Sequence, residues 1–175
     1  MLKFAKLYEK ELTQLYYNNI TDVKYQWINC NYNGALEINN DDWNTVQRVS
    51  LDNETSNIIG FLEGRVVRSC NKISELLIFS NANTLREYKI FEADLLDYMI
   101  YLLTNFRKLE FSVVVGNPVR KKYHQFLKVV GGRVIGTYTK GCQINGQLYD
   151  DERYELISTP EVISKVKELR SRIKI

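Results

Sequence analysis

The sequence is poor in the residues that bind metals or cross-link secreted domains. Its three cysteines, Cys30, Cys70 and Cys142, lie far apart without C-x-x-C or Cys/His spacing, and the chain has a single histidine, His124. An odd number of irregularly spaced cysteines indicates neither a disulfide framework nor a structural zinc site. We therefore expect no bound metal, and a reducing, cytoplasmic compartment is the simpler interpretation.

Long apolar runs and linkers are also missing. No run approaches the roughly 20 residues needed to cross a bilayer, and the opening residues MLKFAKLYEKELTQLYY carry lysine and glutamate throughout. A leader or membrane anchor is therefore not predicted, and we expect no membrane partner. With two prolines, nine glycines and no internal repeat, we expect one domain, 1–175. We divide it into an N-terminal helix with loops (1–45), a sheet core (46–157) and a C-terminal helix (158–175).

A strong charge of either sign is lacking too. Lys and Arg total 24 against 21 Asp and Glu, for a net charge of +3. Sequence-independent nucleic-acid binding needs a dense cationic face, and the basic residues of 120–122 and 165–174 have no interleaved aromatic platform. Nucleic acid is therefore not an expected partner, and these charges are interpreted as the solvated faces of two helices.

Three catalytic signatures are absent from the sequence: the G-x-x-x-x-G-K-[ST] phosphate loop, the dinucleotide-binding G-x-G-x-x-G and the zinc-binding H-E-x-x-H. Nucleotide hydrolysis, dinucleotide-dependent redox chemistry and zinc proteolysis all lose support. His124 is interpreted as a solvated helix residue, because one unpaired histidine argues only weakly for catalysis.

What is present is a regular succession of apolar patterns. An amphipathic helix opens the chain and ends near Asn18–Asn19, whereas 21–44 is weakly patterned. Strands are predicted at Arg48–Leu51, Asn57–Val67, Lys72–Ser80 and Lys108–Gly116. The LLIF segment at 76–79 is apolar on successive residues, which is typical of a central strand. A largely buried helix is predicted between the last two strands, and such a crossover favours a parallel pair.

The stretch SVVVGNPVRKKYHQFLKVVGGRVIG, 112–136, changes from strand to helix to strand. Asn117 suits an N-cap and Pro118 the first helical position, so a helix is predicted to start at Pro118. Its apolar face consists of Val119, Tyr123, Phe126, Leu127 and Val130. Gly131–Gly132 provides a left-handed C-cap. A terminal hairpin and a last helix from Pro160 follow.

The resulting order, β-β-β-α-β-α-β-β, resembles the GNAT acyl-CoA N-acyltransferase superfamily over about 46–157. The segment VVVGNPVRKKYHQFLKVVGGRVIG looks like the family's strand, capping Asn, Tyr-bearing helix and Gly step. GCQINGQLYDDERYELI is similar to an ending found in the branch that modifies ribosomal-protein and other protein amines, and in phage-encoded relatives. The resemblance implies an α/β (α+β) fold: a mixed, mostly antiparallel sheet, flanked by helices, whose central parallel pair is splayed at a cofactor cleft.

The same resemblance implies acetyl-CoA as co-substrate and an amine of a protein or small molecule as acceptor, selected by the 21–44 loops and the terminal hairpin. Tyr123 would be the general acid, although the family's acid usually lies one turn later, where this chain has Leu127. Glu75 or Glu63 would be the base. The alternatives are a buried amphipathic Tyr123 and solvent-exposed strand carboxylates.

For the cofactor, the resemblance implies that free amides of Leu77, Ile78 and Phe79 pair with the pantetheine arm, with Asn117 bordering the crevice. The pyrophosphate would bind at the start of the next helix. Its contacts would be made by Arg86, Lys89 and Ile90 in a loop corresponding to 86–91.

A second hypothesis arises because Lys89 and Phe91 fill both glycine positions of the family's [QR]-x-x-G-x-[GA] loop. A side chain there can block the approach of backbone to phosphate. The alternative is therefore a GNAT-shaped binding protein without catalytic activity, such as a phage accessory or host-interacting factor. The oligomeric state cannot be read from the sequence, and a homodimer stays open.

Overall fold

A mixed seven-stranded sheet forms the centre of residues 1–28 and 36–175, the part of the chain that the computed structural model describes. The strands are Leu2–Phe4 (β1), Thr45–Leu51 (β2), Ile58–Val67 (β3), Lys72–Ser80 (β4), Lys108–Val114 (β5), Arg133–Ile144 (β6) and Gln147–Ile157 (β7). Their order in the sheet is β1-β2-β3-β4-β5-β7-β6. Only β4 and β5 run parallel; every other neighbouring pair is antiparallel. The predicted fold class is confirmed.

Four α-helices cover the two faces of this sheet. They are Glu9–Asn19 (α1), Leu85–Asn105 (α2), Arg120–Val130 (α3) and Pro160–Ser171 (α4). Residues of α2, α3 and α4 pack on one face, here called the α2 face, against side chains such as Leu109 and Phe111. Leu12 of α1 packs with Phe61 and Phe79 on the opposite face, the α1 face. No helix in the described part of the chain is long and apolar enough to cross a membrane.

The start of the chain differs from the prediction of one opening helix. Leu2–Phe4 pairs with β2, with Leu2 opposite Ser50, and a 3₁₀ turn at Ala5–Tyr8 precedes α1. Pairing with β2 satisfies backbone groups that an edge strand would otherwise leave exposed. The predicted helix is present from Glu9 to Asn19, but Leu2–Phe4 pairs with β2 as a strand instead of extending it.

Helix α2 is buried along much of its length, as predicted. Tyr98 is almost fully buried, and its hydroxyl donates to the Val46 carbonyl at 2.7 Å. The helix begins at Leu85, where Thr84 and Glu87 form a capping box. A helical turn therefore stands at 86–91, where a loop was expected.

Between β5 and α3 the chain first forms a turn, and the helix begins after it. The Asn117 side-chain oxygen accepts from the Val119 amide at 3.1 Å, and its carbonyl accepts from Arg120 N at 3.0 Å. The helix thus starts at Arg120, two residues after the predicted Pro118. At its other end Gly131 has φ +92°, and the amides of Gly131 and Gly132 both donate to the Leu127 carbonyl, which confirms the predicted C-cap.

The parallel pair is unusually short. Only Lys72 with Lys108 and Ile73 with Leu109 are paired between β4 and β5. On its other edge β4 stays paired with β3 as far as Ser80, and β5 stays paired with β7 as far as Val114. Each strand is therefore held by its outer neighbour while the inner edges separate.

Candidate active site

A β-bulge marks the point where the two parallel strands separate. Arg65 of β3 is opposite Glu75, but the next residue, Val66, is opposite Ile73, so Ser74 is an extra residue in β4. A bulge bends its strand and increases the local twist. Because Ser74 directly follows the last parallel pair, we attribute the divergence of β4 from β5 to this bulge.

The divergence opens a cleft with a volume of about 100 Å³. It is lined by Trp27, Ile28, Leu76, Leu77, Ile78, Phe111, Ser112, Val113, Val114, Asn117, Val119 and Tyr123. Leu76 and Phe111 belong to the packing of the α2 face, whereas Leu77 and Val114 belong to clusters on the opposite face. The cleft is therefore lined from both faces of the sheet.

Tyr123 lies on the cleft wall, as its position on the apolar face of the helix predicted. Its ring packs on Phe111 with centroids 5.6 Å apart. Burial raises the pKa of Tyr123 to about 12, so the phenol is protonated at neutral pH. In the described residues no group hydrogen-bonds its hydroxyl. A protonated phenol without a protein partner is available to donate to a substrate atom.

The other predicted cofactor residues divide into two groups. Leu77, Ile78 and Asn117 line the cleft, whereas Phe79 is buried with Tyr25 on the α1 face. The β4 edge beyond Ile73 has no pairing with β5, so an extended ligand could bind there as a strand.

Arg86, Lys89 and Ile90 lie in the first turns of α2 rather than in a loop, and none of them lines the cleft. The Arg86 guanidinium forms ion pairs with Asp52 and, at 2.9 Å, with Glu54. Ile90 is buried in the core below the helix, and Lys89 is exposed. The capping box at Thr84 sets this helix start, so all three residues lie in helical turns, and their contacts with phosphate stay a prediction.

The two carboxylates predicted as bases face the α1 face without lining the cleft. Glu75 forms an exposed ion pair with Arg65 at 3.3 Å. Glu63 accepts a hydrogen bond from the Gln47 side-chain amide at 2.7 Å. Their roles stay predictions, and the solvent-exposed alternative matches what Glu75 does in the structure.

Asp151 is a buried carboxylate that the sequence interpretation overlooked. It is 5% exposed on β7, directly opposite Val114 of the cleft wall. Residues directly opposite each other on antiparallel strands share a face, so Asp151 lies on the α1 face. Its Oδ2 is 3.1 Å from Arg153 Nε, and its Oδ1 has no hydrogen-bond partner. A buried carboxylate oxygen without a protein donor can accept a hydrogen bond from water or from a ligand.

A second buried carboxylate, Glu152, ties α3 to β7. Arg120 donates to it twice, at 2.8 and 3.0 Å, and His124 Nε2 lies 2.7 Å from the same carboxylate. The buried Tyr154 hydroxyl also donates to it. The hydrogen bonds from Arg120 first, and then those of Tyr154 and His124, lower the pKa of Glu152 to about 2 despite its burial. His124 is thus a partner of Glu152 rather than the purely solvated residue expected.

This cluster fixes the helix that carries Tyr123. Arg120 and His124 are one turn apart on α3 and flank Tyr123 in the sequence. Tyr154 packs on Phe111, the same ring that contacts Tyr123. We interpret the cluster as structural support for the cleft wall. In the part of the chain that the structure describes, no group of three or more His, Cys, Asp or Glu side chains could hold a metal ion.

The comparison with known proteins identifies the fold. No protein-family model and no curated protein sequence matches the chain. Among solved structures, the spermidine N-acetyltransferase from Vibrio cholerae in complex with CoA and spermine is similar, with 22% identity, a TM-score of 0.55 and coverage of 87% of this chain and 76% of that one.

Two further structures give the same result. The Vibrio cholerae spermidine/spermine N-acetyltransferase SpeG in complex with manganese ions has 22% identity and a TM-score of 0.53, covering 93% of this chain and 78% of that one. A probable acetyltransferase has 18% identity and a TM-score of 0.53, with 66% and 63% covered. The chain has the fold of these acetyltransferases, as the resemblance to the GNAT superfamily implied.

Replacement of Glu152 tests its role in holding α3. The folded-state pKa of about 2 lies below the ordinary value of 4.5, so the stabilisation is complete above pH 4.5 and disappears as the pH falls toward 2. We expect Glu152→Gln to lower the free energy of unfolding by about 2 kcal/mol at pH 7. Urea denaturation at several pH values measures this difference, which should shrink below pH 4.5.

Glu161→Gln is the matched control, because Glu161 forms an exposed i,i+4 pair with Lys165. It should leave stability nearly unchanged. An equal effect of both substitutions at pH 7, or a Glu152→Gln effect independent of pH, would contradict the role of Glu152.

Proposed function

We propose that this protein is an acetyl-CoA-dependent N-acetyltransferase in which an amine attacks the thioester directly in the cleft between β4 and β5. The observation that carries the proposal is the separation of these strands immediately after Ile73 and Leu109. Ligands of open α/β sheets bind at the carboxyl ends of such strands. Likeness in fold to acetyltransferases, one of them solved with CoA, supports the same conclusion.

The donor would bind with its pantetheine arm along the free edge of β4. Its amide groups would pair with the backbone near Leu77 and Ile78, which line the cleft. The same edge offers backbone amides to polarise the thioester carbonyl. Apolar neighbours such as Val113 and Phe111 would exclude water from the thioester.

In the proposed reaction the bound ammonium group first loses a proton to water or to a carboxylate on the α1 face, and the neutral amine nitrogen then adds to the thioester carbonyl carbon. The C–S bond then breaks, and the sulfur leaves as a thiolate. Tyr123 donates its phenolic proton to that sulfur, and the amine loses its extra proton to water or to a carboxylate on the α1 face. The products are an N-acetylated amine and the free thiol of CoA.

Asp151 is proposed to bind the acceptor. Its unpartnered Oδ1 lies beside the cleft wall on the face opposite α2 and α3. A protonated amine, on a protein or on a small molecule, would satisfy this oxygen with a charge-assisted hydrogen bond. The similar spermidine N-acetyltransferases named above act on a small polyamine, and a basic acceptor suits a buried carboxylate.

A second candidate function is binding without catalysis. The observation that favours it is that Arg86, a predicted phosphate ligand, is ion-paired with Asp52 and Glu54, while Ile90 is buried in the core. In this alternative the protein would bind a partner and catalyse no reaction.

Thermal unfolding with acetyl-CoA separates the two functions. A ligand at 100 times its dissociation constant stabilises the folded state by about 2.7 kcal/mol. The enzyme hypothesis predicts a concentration-dependent rise in Tm with acetyl-CoA. An unchanged Tm at millimolar acetyl-CoA would favour the binding protein.

Tyr123→Phe tests the proton donor. The ring stays against Phe111 while the hydroxyl is lost, so we expect kcat for acetyl transfer to fall about 100-fold with little change in the KM for acetyl-CoA. The assay measures CoA release with spermidine or lysine-containing peptides as acceptors. Tyr17→Phe, on the exposed side of α1, is the control and should retain full activity. Equal activity of the two variants would exclude Tyr123 as the acid.

Asp151→Asn tests the acceptor site in the same assay. Loss of the negative charge should raise the KM for the amine at least about tenfold and leave the KM for acetyl-CoA unchanged. Asp150→Asn is the matched control, since an asparagine can still accept from the Lys140 amide as Asp150 does. A rise in the KM for acetyl-CoA instead would assign Asp151 to the donor side.

A further inference from the structure

The N-terminus of α2 already holds a negative charge of its own. Glu87 Oε2 accepts hydrogen bonds from the amides of Asn83 and Thr84, at 2.8 and 2.9 Å. Thr84 Oγ1 in turn accepts from the Glu87 amide at 3.2 Å. Three amides at the start of this helix are therefore satisfied by side chains of the chain itself.

The cationic side chain of Arg86 is engaged by other residues. Arg86 lies at the second residue of α2, but its guanidinium binds Asp52 and Glu54 in the turn between β2 and β3. Asp52 is almost fully buried, and its carboxylate also accepts from the Glu54 amide at 2.8 Å. Releasing Arg86 toward a ligand would leave this buried carboxylate without its ion-pair partner.

The helix start is also the natural place for a donor's diphosphate. β4 ends at Ser80 and α2 begins at Leu85, so the helix N-terminus lies just beyond the carboxyl end of the strand that lines the cleft. Helix N-termini usually bind anions because their amides and dipole favour negative charge. Here a diphosphate would meet the Glu87 carboxylate, and like charges at close range repel.

We propose that Glu87 is a specificity-determining residue of the donor site. The site selects acyl thioesters by their pantetheine arm, and the diphosphate of CoA adds little to the affinity. The inference rests on the proposed function and concerns the same cleft. A donor site that gains little from the diphosphate does not need glycine at the positions of Lys89 and Phe91, where a phosphate-binding loop would require it. A donor lacking the nucleotide should bind nearly as well as acetyl-CoA.

Calorimetric titration with acetyl-CoA and with S-acetyl-pantetheine tests this proposal on the wild-type protein and on Glu87→Gln. Glutamine preserves the capping box and removes the charge. For the wild type we expect the two dissociation constants to agree within about threefold. In Glu87→Gln, acetyl-CoA should bind about five- to tenfold more tightly and S-acetyl-pantetheine should be unaffected, because only the former carries the diphosphate.

Glu92→Gln is the matched control, because Glu92 is an exposed carboxylate farther along the same helix. It should change neither constant. Acetyl-CoA binding to the wild type more than about 30-fold tighter than S-acetyl-pantetheine would overturn the inference and leave the proposed function standing. Similar constants with no response to Glu87→Gln would overturn the role of Glu87. Binding of neither thioester would instead overturn the proposed function itself.

Discussion

The structure depends on a parallel ladder that stops after two residue pairs. Ile73 with Leu109 is the last contact in register between β4 and β5, and the extra residue Ser74 follows at once. The sheet tolerates the separation because each strand remains paired on its outer edge, β4 with β3 and β5 with β7. Each strand thus keeps one ladder of hydrogen bonds, while the inner edges stay unpaired with each other.

Every proposed role is arranged around that separation. The cleft reaches both faces of the sheet, so in the proposed reaction the thioester donor and the amine acceptor would enter from opposite faces. On the α2 face, Glu152 holds α3 through Arg120 and His124 and thereby supports Tyr123 on the wall. On the α1 face, Asp151 keeps one oxygen without a protein partner beside Val114. Asp151 and Glu152, neighbours on β7, thus have different proposed roles on opposite faces of the sheet.

Much of this fold could be predicted from the sequence. The strand–helix–strand crossover predicted the parallel pair, and Gly131–Gly132 predicted the end of α3. The bulge at Ser74 has no local signal, because bulges depend on pairing with a neighbouring strand. The start of α2 did have one: Thr84 and Glu87 form the spacing S/T-x-x-E of a capping box, which would have placed 86–91 in a helix. The sequence analysis assigned no role to Asp151 or Glu152, and the contacts of Glu152 with Arg120 and His124 have no local signal because these partners are about 30 residues away.

Hydrogen exchange of backbone amides tests the central claim most directly. Those amides of Leu76–Ile78 that point away from β3 have no partner on β5, so they should exchange faster than the paired amides of β3. Saturation with an acetylated pantetheine thioester should slow exchange at this edge and at the neighbouring β5 residues. Unchanged exchange there, or protection confined to another surface, would show that the separated strands are not the binding site.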